Sequence, residues 1–199
     1  MSSLFLGIDQ STGSKSALGI ALIEPKSKTI LFSASLRPRF KGMSTEQRIY
    51  DLAQQFDEIF LDIYMDCRQN KTKLVITFEQ FVMRGKSGQS LAWIVGALIS
   101  CIPIDDDFIL ILHTNNLYAK KNSTGSGKSD KEQIGAGLLE IFEGNKESID
   151  KLKDLIHNEL WDEVDAISLA LAASATVQKG NTKVKLRPKK QDKVGKSNE

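Results

Sequence analysis

The stretch LFLGIDQSTGSKSALGIAL, residues 4–22, contains an apolar run that ends in a carboxylate. Leu4–Ile8 is continuously apolar, as in a strand buried within a sheet, and a second apolar run begins at Ala17. Asp9 lies between the two runs and is followed by Ser, Thr and Gly. Asp is common in turns, so this one residue fits either a turn or a site that needs its charge.

The composition is that of a folded domain. Hydrophobic residues make up 41% and charged residues 26% of the 199 residues, which is enough for one domain with a substantial core. Cys67 and Cys101 give neither a disulfide framework nor the spacing of a metal site. The N-terminus does not resemble a signal peptide, and the longest apolar stretch, residues 91–104, is shorter than the ~20 residues of a membrane span. We therefore expect a reduced, cytoplasmic protein with no membrane partner.

The positive charge is concentrated at the C-terminus. Residues 178–199 contain eight basic and two acidic residues, a net charge of +6, which leaves −4 for residues 1–177 because the whole chain carries +2. Low apolar content predicts that residues 178–199 are a disordered tail and that residues 1–177 form the folded domain. Such tails bind polyanions, although a role in solubility alone is the alternative.

The apolar patterns predict the element order β-β-β-α-β-α-β followed by helices. Short connections favour an antiparallel meander for the first three strands, and helical connections favour a parallel remainder. The expected fold is α/β and ribonuclease H-like, a mixed five-stranded sheet with helices on both faces. Residues 120–131, KKNSTGSGKSDK, are expected to be a flexible basic loop. The predicted strands are Leu4–Asp9, Ala17–Ile23, Thr29–Ser35, Lys73–Glu79 and Phe108–His113, and the predicted helices are Ser44–Cys67, Ser87–Ser100, Lys131–Phe142, Ile149–Asn158 and Asp162–Val177.

Four carboxylates lie at strand ends or at the start of the last helix: Asp9, Glu79, Asp162 and Asp165. Taken singly, most are explained as turn or capping residues. Asp165 is harder to explain, because its helix is apolar and a buried carboxylate must be paired, hydrogen-bonded or metal-bound. If the four converge they repel one another, and a hard divalent cation such as Mg²⁺ or Mn²⁺ would relieve that repulsion. Two such ions roughly 4 Å apart are a known arrangement for phosphodiester hydrolysis.

Four segments, in the same order, resemble the RuvC family of Holliday junction resolvases. LGID and LGIAL resemble the family's first strand and its return strand, and ITFEQFVM, residues 76–83, resembles the strand that carries its second acid. DEVDAISLAL, residues 162–171, resembles its closing helix. The spacing of the family's basic loop is kept by Lys120, Gly125, Gly127 and Lys131.

The resemblance implies a structure-selective endonuclease that cuts four-way junctions and other branched DNA as a homodimer. It implies Mg²⁺, with Mn²⁺ as a substitute, held by Asp9, Glu79, Asp162 and Asp165, and products with a 5′-phosphate and a 3′-hydroxyl. The implied DNA contacts are Lys120 and Lys131, to which Lys121 and Lys128 add charge; Phe81 is the candidate for the family's junction-probing aromatic, since Val82 occupies that position.

Two further points of the sequence bear on this interpretation. Gln10-Ser11-Thr12 stands where the family has Pro-Gly-Ser. The helix predicted at Ser87–Ser100 is apolar over most of its circumference, so it is a core helix, a dimer interface, or both.

Other interpretations remain at this point. GSGKS, residues 125–129, suggests a nucleotide-binding P-loop, but Asn122 replaces the required first glycine. GIDQSTGS, residues 7–14, resembles the phosphate-binding turn of sugar kinases and actin-like ATPases, which bind ATP between two such domains. A non-catalytic module for branched DNA would not need Asp165 in an apolar helix. His113 ends a predicted strand and either approaches the carboxylates or is an ordinary surface or core histidine.

Overall fold

The computed structural model describes residues 3–10, 17–80 and 85–180, with side chains omitted for 85–87. The predicted α/β fold is confirmed: five strands form one mixed sheet in the order β3-β2-β1-β4-β5, with helices on both faces. The strands are β1 Ser3–Asp9, β2 Leu18–Glu24, β3 Thr29–Leu36, β4 Lys73–Gln80 and β5 Ile109–Asn115. The helices are α1 Thr45–Gln69, α2 Gly85–Ser100, α3 Asn116–Thr124, α4 Lys131–Ile141, α5 Lys146–His157 and α6 Trp161–Gln178.

The predicted flexible loop at residues 120–131 is wrong in its first half. Residues 120–124 form the end of α3, a helix capped at its start by the Asn115 side chain, which accepts a hydrogen bond from Leu117 N at 2.8 Å. Gly125 ends the helix in the left-handed conformation that favours glycine. GSGKS therefore connects two helices instead of following a strand, which excludes a P-loop.

The strand register brings three strand ends to one edge of the sheet. β1 runs parallel to β4, with Ile8 opposite Phe78, and β4 runs parallel to β5, with Glu79 opposite Thr114. β2 is antiparallel to β1 and begins beside Asp9, which lies opposite Gly19. Asp9 and Glu79 consequently sit on neighbouring strands at the same edge.

Side chains alternate between the two faces of β1. Leu4, Leu6 and Ile8 belong to the apolar cluster formed with α1 and α2. Phe5 belongs to a second cluster formed with α4, α5 and α6. Gly7 and Asp9 follow Phe5 on that second face, so Asp9 points to the side of the sheet that α6 covers.

Helix α6 approaches the sheet at two glycines. A methyl group added to Gly7 would overlap the Ala166 carbonyl oxygen, and one added to Gly19 would overlap that of Asp162. Both clashes would be with backbone atoms, which cannot rotate away. The missing side chains thus allow the start of α6, with its two carboxylates, to lie directly against β1 and β2.

Most of the predicted basic tail falls outside the described residues. Residues 181–199 of the basic tail are not described, and the preceding α6 continues through Gln178. No helix in the described ranges combines the length and apolarity needed to cross a membrane.

Candidate active site

The strand carboxylates Asp9 and Glu79 meet at the edge of the sheet. Asp9 is the last residue of β1, and Glu79 is the second-last residue of β4. The two carboxyl groups line the same small cavity, and besides burial the charge of Glu79 contributes to raising the pKa of Asp9. The parallel pairing of β1 and β4 therefore brings the first two predicted site residues to one cavity.

The helix carboxylates Asp162 and Asp165 come from the first turns of α6. Asp165 lines a small cavity together with Asp9 and Glu79. Asp162 is one turn earlier, and its Oδ2 accepts a hydrogen bond from Ala17 N at 3.2 Å, where the chain enters β2. Three of the four predicted carboxylates thus share one cavity, and the fourth lies on the same helix beside it.

Burial and mutual repulsion make it harder for the carboxyl groups of the site to ionise. Burial, and then the nearby charges of Asp165, Glu79 and Asp162, raise the pKa of Asp9 to about 8. Burial also raises the pKa of Asp165 to about 6, although the charges of Lys131 and Lys120 oppose this increase. Carboxyl groups that resist ionisation near neutral pH are typical of sites that bind cations or transfer protons.

Two of the four predicted lysines lie near the carboxylates. Lys120, on α3, lines the cavity and donates a hydrogen bond from Nζ to the Ser129 carbonyl oxygen at 3.1 Å. Lys131 begins α4, and its Nζ lies 6.0 Å from the centre of the Trp161 ring. Lys121 and Lys128 are exposed on the same α3–α4 segment and do not line the cavity.

The two remaining candidates from the sequence are Phe81 and His113. Phe81 lies outside the described residues. His113 packs against Phe78, with ring centres 5.9 Å apart, and Phe78 belongs to the apolar cluster on the α1 and α2 face. Burial lowers the pKa of His113. This histidine therefore lies on the face of the sheet opposite the carboxylates, at an exposed position of β5.

The structure adds two carboxamides to the site that were not predicted. The Gln10 side chain hydrogen-bonds to the main chain of Glu79, and the Asn116 side chain hydrogen-bonds to its carboxylate. Gln10 was visible only as a departure from a family pattern. Asn116 had no sequence signal, because it is the first residue of a helix that the apolar pattern did not predict.

The donor set fits a hard divalent cation. Among the residues in the described ranges, no three His, Cys, Asp or Glu side chains are already arranged around a metal position. However, all four side chains offer oxygen ligands, which Mg²⁺ and Mn²⁺ prefer. Besides burial, the neighbouring carboxylates contribute to the raised pKa of Asp9, so their combined negative charge is one that a cation would neutralise.

Comparison with known proteins identifies the family. No protein-family model matches the chain. The chain is 32% identical over 168 residues to the crossover junction endodeoxyribonuclease RuvC of Campylobacter concisus (strain 13826), covering 83% of this chain and 92% of that protein. It shares its fold with Thermus thermophilus RuvC, both in complex with a Holliday junction substrate (TM-score 0.60, 12% identity) and in a second structure (TM-score 0.59, 14% identity). Each of these matches covers 89% of this chain and 96% of the other. With a RuvC relative above 30% identity along most of its length, the chain belongs to the RuvC family.

Proposed function

We propose that this protein is a metal-dependent endonuclease that cuts four-way DNA junctions and other branched DNA. The observation that carries the proposal is the meeting of Asp9, Glu79 and Asp165 at one cavity, with Lys120 in its lining. A chain that only binds DNA has no need for a cluster of carboxylates in which the pKa values of Asp9 and Asp165 are raised. The name of the Campylobacter relative supports the same activity.

In this proposal Asp9, Glu79, Asp162 and Asp165 hold Mg²⁺, with Mn²⁺ as a substitute. The bound ion supplies the charge that activates a water molecule and stabilises the leaving oxygen of the phosphodiester. Lys120 and Lys131 bind phosphates next to the cut and offset the carboxylate charge. The products are a 5′-phosphate and a 3′-hydroxyl.

The charge distribution favours contacts with DNA away from the cut as well. Residues 1–177 carry −4 and residues 178–199 carry +6, so the basic tail is the main source of sequence-independent attraction to phosphates. Deleting residues 181–199 should weaken junction binding and make the log–log salt dependence of affinity shallower, while cutting remains. Affinity that keeps its magnitude and its salt slope would show that the tail makes no DNA contact.

Labelled four-way, three-way and linear DNA, incubated with Mg²⁺ or with EDTA, test the central proposal. We expect cutting of the branched substrates only, and only with Mg²⁺. Asp165→Asn should lower the cutting rate at least about 100-fold, since even changes beside metal ligands cost 10- to 100-fold. Junction binding should survive, because the change removes negative charge.

Asp107→Asn is the matched control, because Asp107 is exposed in the turn before β5, at the opposite edge of the sheet. It should cut at the wild-type rate. Wild-type cutting by Asp165→Asn, or equal cutting of linear and four-way DNA, would contradict the proposal.

We further propose that the active unit is a homodimer, because a four-way junction has two-fold symmetry and this chain has one set of carboxylates. Not all residues of the apolar helix α2 are available for contact with a second copy of the chain. Ile94 and Leu98 are fully buried within the protomer, so the apolar helix is first a core helix. Its exposed residue Trp93 instead borders an apolar groove between α1 and α2, together with Tyr50.

A second copy is the occupant we assign to this groove, because paired cuts need two sites. Trp93→Glu should convert dimers to monomers in sedimentation at micromolar concentration and should uncouple the two cuts on one junction. Leu31→Glu is the control, since Leu31 is an exposed leucine on β3, outside the groove lining. A wild type that remains monomeric on a junction that it cuts twice would contradict the dimer.

A further inference from the structure

We propose that Gln10 and Asn116 are positioning residues that hold Glu79 in place, Gln10 through its main chain and Asn116 through its carboxylate. This inference rests on the proposed function and adds two residues to the machinery of the same site. Neither residue needs to touch the substrate. Each acts through Glu79, which it fixes relative to Asp9 and Asp165.

Gln10 binds both main-chain polar groups of Glu79. Its Nε2 donates to the Glu79 carbonyl oxygen at 2.6 Å, and its Oε1 accepts from the Glu79 N–H at 3.1 Å. An amide can pair with this N–H and this carbonyl in one orientation only, so the positions of its oxygen and nitrogen are determined. Gln10 is 6% exposed, which makes the loss of either bond costly.

These two bonds extend the sheet beyond its last main-chain pair. The pairing of β1 with β4 ends at Ile8 and Phe78, one residue before Glu79. The Gln10 side chain then takes the place that a further residue of β1 would occupy. A proline, which the family resemblance places at this position, has no side-chain amide to make these bonds.

Asn116 binds the side chain of Glu79, whereas Gln10 binds its main chain. Its Nδ2 donates to Glu79 Oε1 at 2.6 Å, and Asn116 lines the same cavity as Asp9 and Asp165. Glu is a long side chain that samples several rotamers when it is free. A neutral donor selects one rotamer without cancelling the negative charge of the carboxylate, whereas a lysine there would compete with a cation.

The two contacts come from different parts of the fold. Gln10 follows β1, and Asn116 begins α3 directly after β5, so the strands on both sides of β4 contribute one amide each. Glu79 is therefore bracketed from both neighbouring strands. The arrangement matches the general role of residues that orient a metal ligand from behind.

Calorimetric titration of the DNA-free protein with Mn²⁺, combined with single-turnover cutting, tests whether Gln10 and Asn116 position Glu79. Asn116→Ala should weaken Mn²⁺ binding and slow cutting, each by about 10-fold or more. Its thermal midpoint and its affinity for the junction should stay close to wild type. Asn116→Asp should be worse than Asn116→Ala, because it replaces the donor by a like charge beside Glu79.

Asn122→Ala is the matched control on the same helix, because the Asn122 amide donates to the Tyr118 carbonyl oxygen within α3 and Asn122 does not line the cavity that holds Glu79. It should bind Mn²⁺ and cut as wild type does. Gln10→Met keeps the volume and loses both bonds, so it should show the same two losses as Asn116→Ala. If Gln10→Met does not fold, Asn116→Ala alone decides the matter.

If Asn116→Ala kept the wild-type Mn²⁺ affinity and cutting rate, the proposed positioning of Glu79 would be overturned, while the proposed function would stand. A wild type that binds Mn²⁺ but cuts no branched DNA would overturn the proposed function. In that case the Mn²⁺ titrations of the variants still decide whether Gln10 and Asn116 position Glu79.

Discussion

On the face of the sheet covered by α1 and α2, β1 presents Leu6 and Ile8 to a cluster that contains the stacked rings of Phe56 and Phe60. On the opposite face the same strand presents Gly7 and Asp9 to α6. On the first face β1 presents large apolar side chains. On the second face it presents a glycine, which has no side chain, and then the charged Asp9. One strand thereby contributes stability on one side and the geometry of the site on the other.

This difference shows why a stable core and a demanding site can share five strands. Side-chain packing tolerates some rearrangement, because neighbouring rotamers adjust to a changed volume. The contact of Gly7 with the backbone of α6 has no such freedom. Changes on the two faces should therefore separate stability from catalysis.

The largest expected effect on stability belongs to the α1 and α2 face. Phe56 is fully buried, and Phe56→Ala should lower the free energy of unfolding by about 3–5 kcal/mol. Denaturant titration measures this loss. At a temperature where the variant remains folded, its cutting rate should match that of the wild type. A specific loss of catalysis in the folded variant would mean that the two faces are not separable.

Gly7→Ala should show the reverse pattern. Displacing α6 should cost about 1–3 kcal/mol of stability, the usual range for overpacking, because the added methyl group overlaps a backbone carbonyl. The cutting rate should fall about 100-fold, since Asp162 and Asp165 move with the helix. Denaturant titration and single-turnover cutting of the same sample provide the two values.

Gly96→Ala is the matched control for the added methyl group. Gly96 lies on α2, and a methyl group there has no neighbour within 4 Å. It should increase stability by up to about 1 kcal/mol through helix propensity and leave cutting unchanged. Comparable catalytic losses in Gly7→Ala and Gly96→Ala would remove the distinction between the faces.

The smallest expected effect is a pH dependence of the metal-free protein. The pKa of Asp9 is about 8 in the fold, above its unfolded value near 4, so the folded state binds the proton more tightly. The corresponding stability is fully present below about pH 4 and is lost as pH rises through about 8. Asp165 contributes in the same direction up to about pH 6.

Asp9→Asn should consequently unfold at a higher temperature than wild type at pH 8 to 9 in EDTA, with a smaller difference at pH 5. Thermal melts across this range measure the effect, and Asp107→Asn, at an exposed position away from the site, serves as the control for the substitution itself. Parallel wild-type and Asp9→Asn curves would contradict the raised pKa.

The elements that sequence analysis predicted are those with a strong apolar period. All five strands were predicted from their apolar runs, although β3 and β5 are only partly buried, and the long helices were predicted by their spacing. Helix α3 was missed because it is short and polar and depends on distant contacts. Ser123 hydrogen-bonds to Ser168 of α6 at 2.7 Å, and Ala119 packs against Leu169 and Ala172.

The candidate site also contains a part that could be predicted from the sequence and a part that could not. Its carboxylates were predictable because Asp9, Glu79 and Asp165 interrupt apolar segments, and an interruption is visible along the chain. The contacts of Gln10 and Asn116 with Glu79 were not predictable, since they join residues 69 and 37 positions apart. Likewise, the apolar α2 did not reveal that Ile94 faces the core whereas Trp93 is exposed.

The attachment of α3 to α6 has a consequence for motion. Lys120 is on α3 and Asp165 is on α6, and the Ser123–Ser168 hydrogen bond joins these two helices. Amide hydrogen exchange should therefore report one cooperative opening unit that contains both helices, with similar opening free energies for their central amides. The lysine and the carboxylate would then leave and regain their positions together, so that a partly opened molecule never presents one without the other.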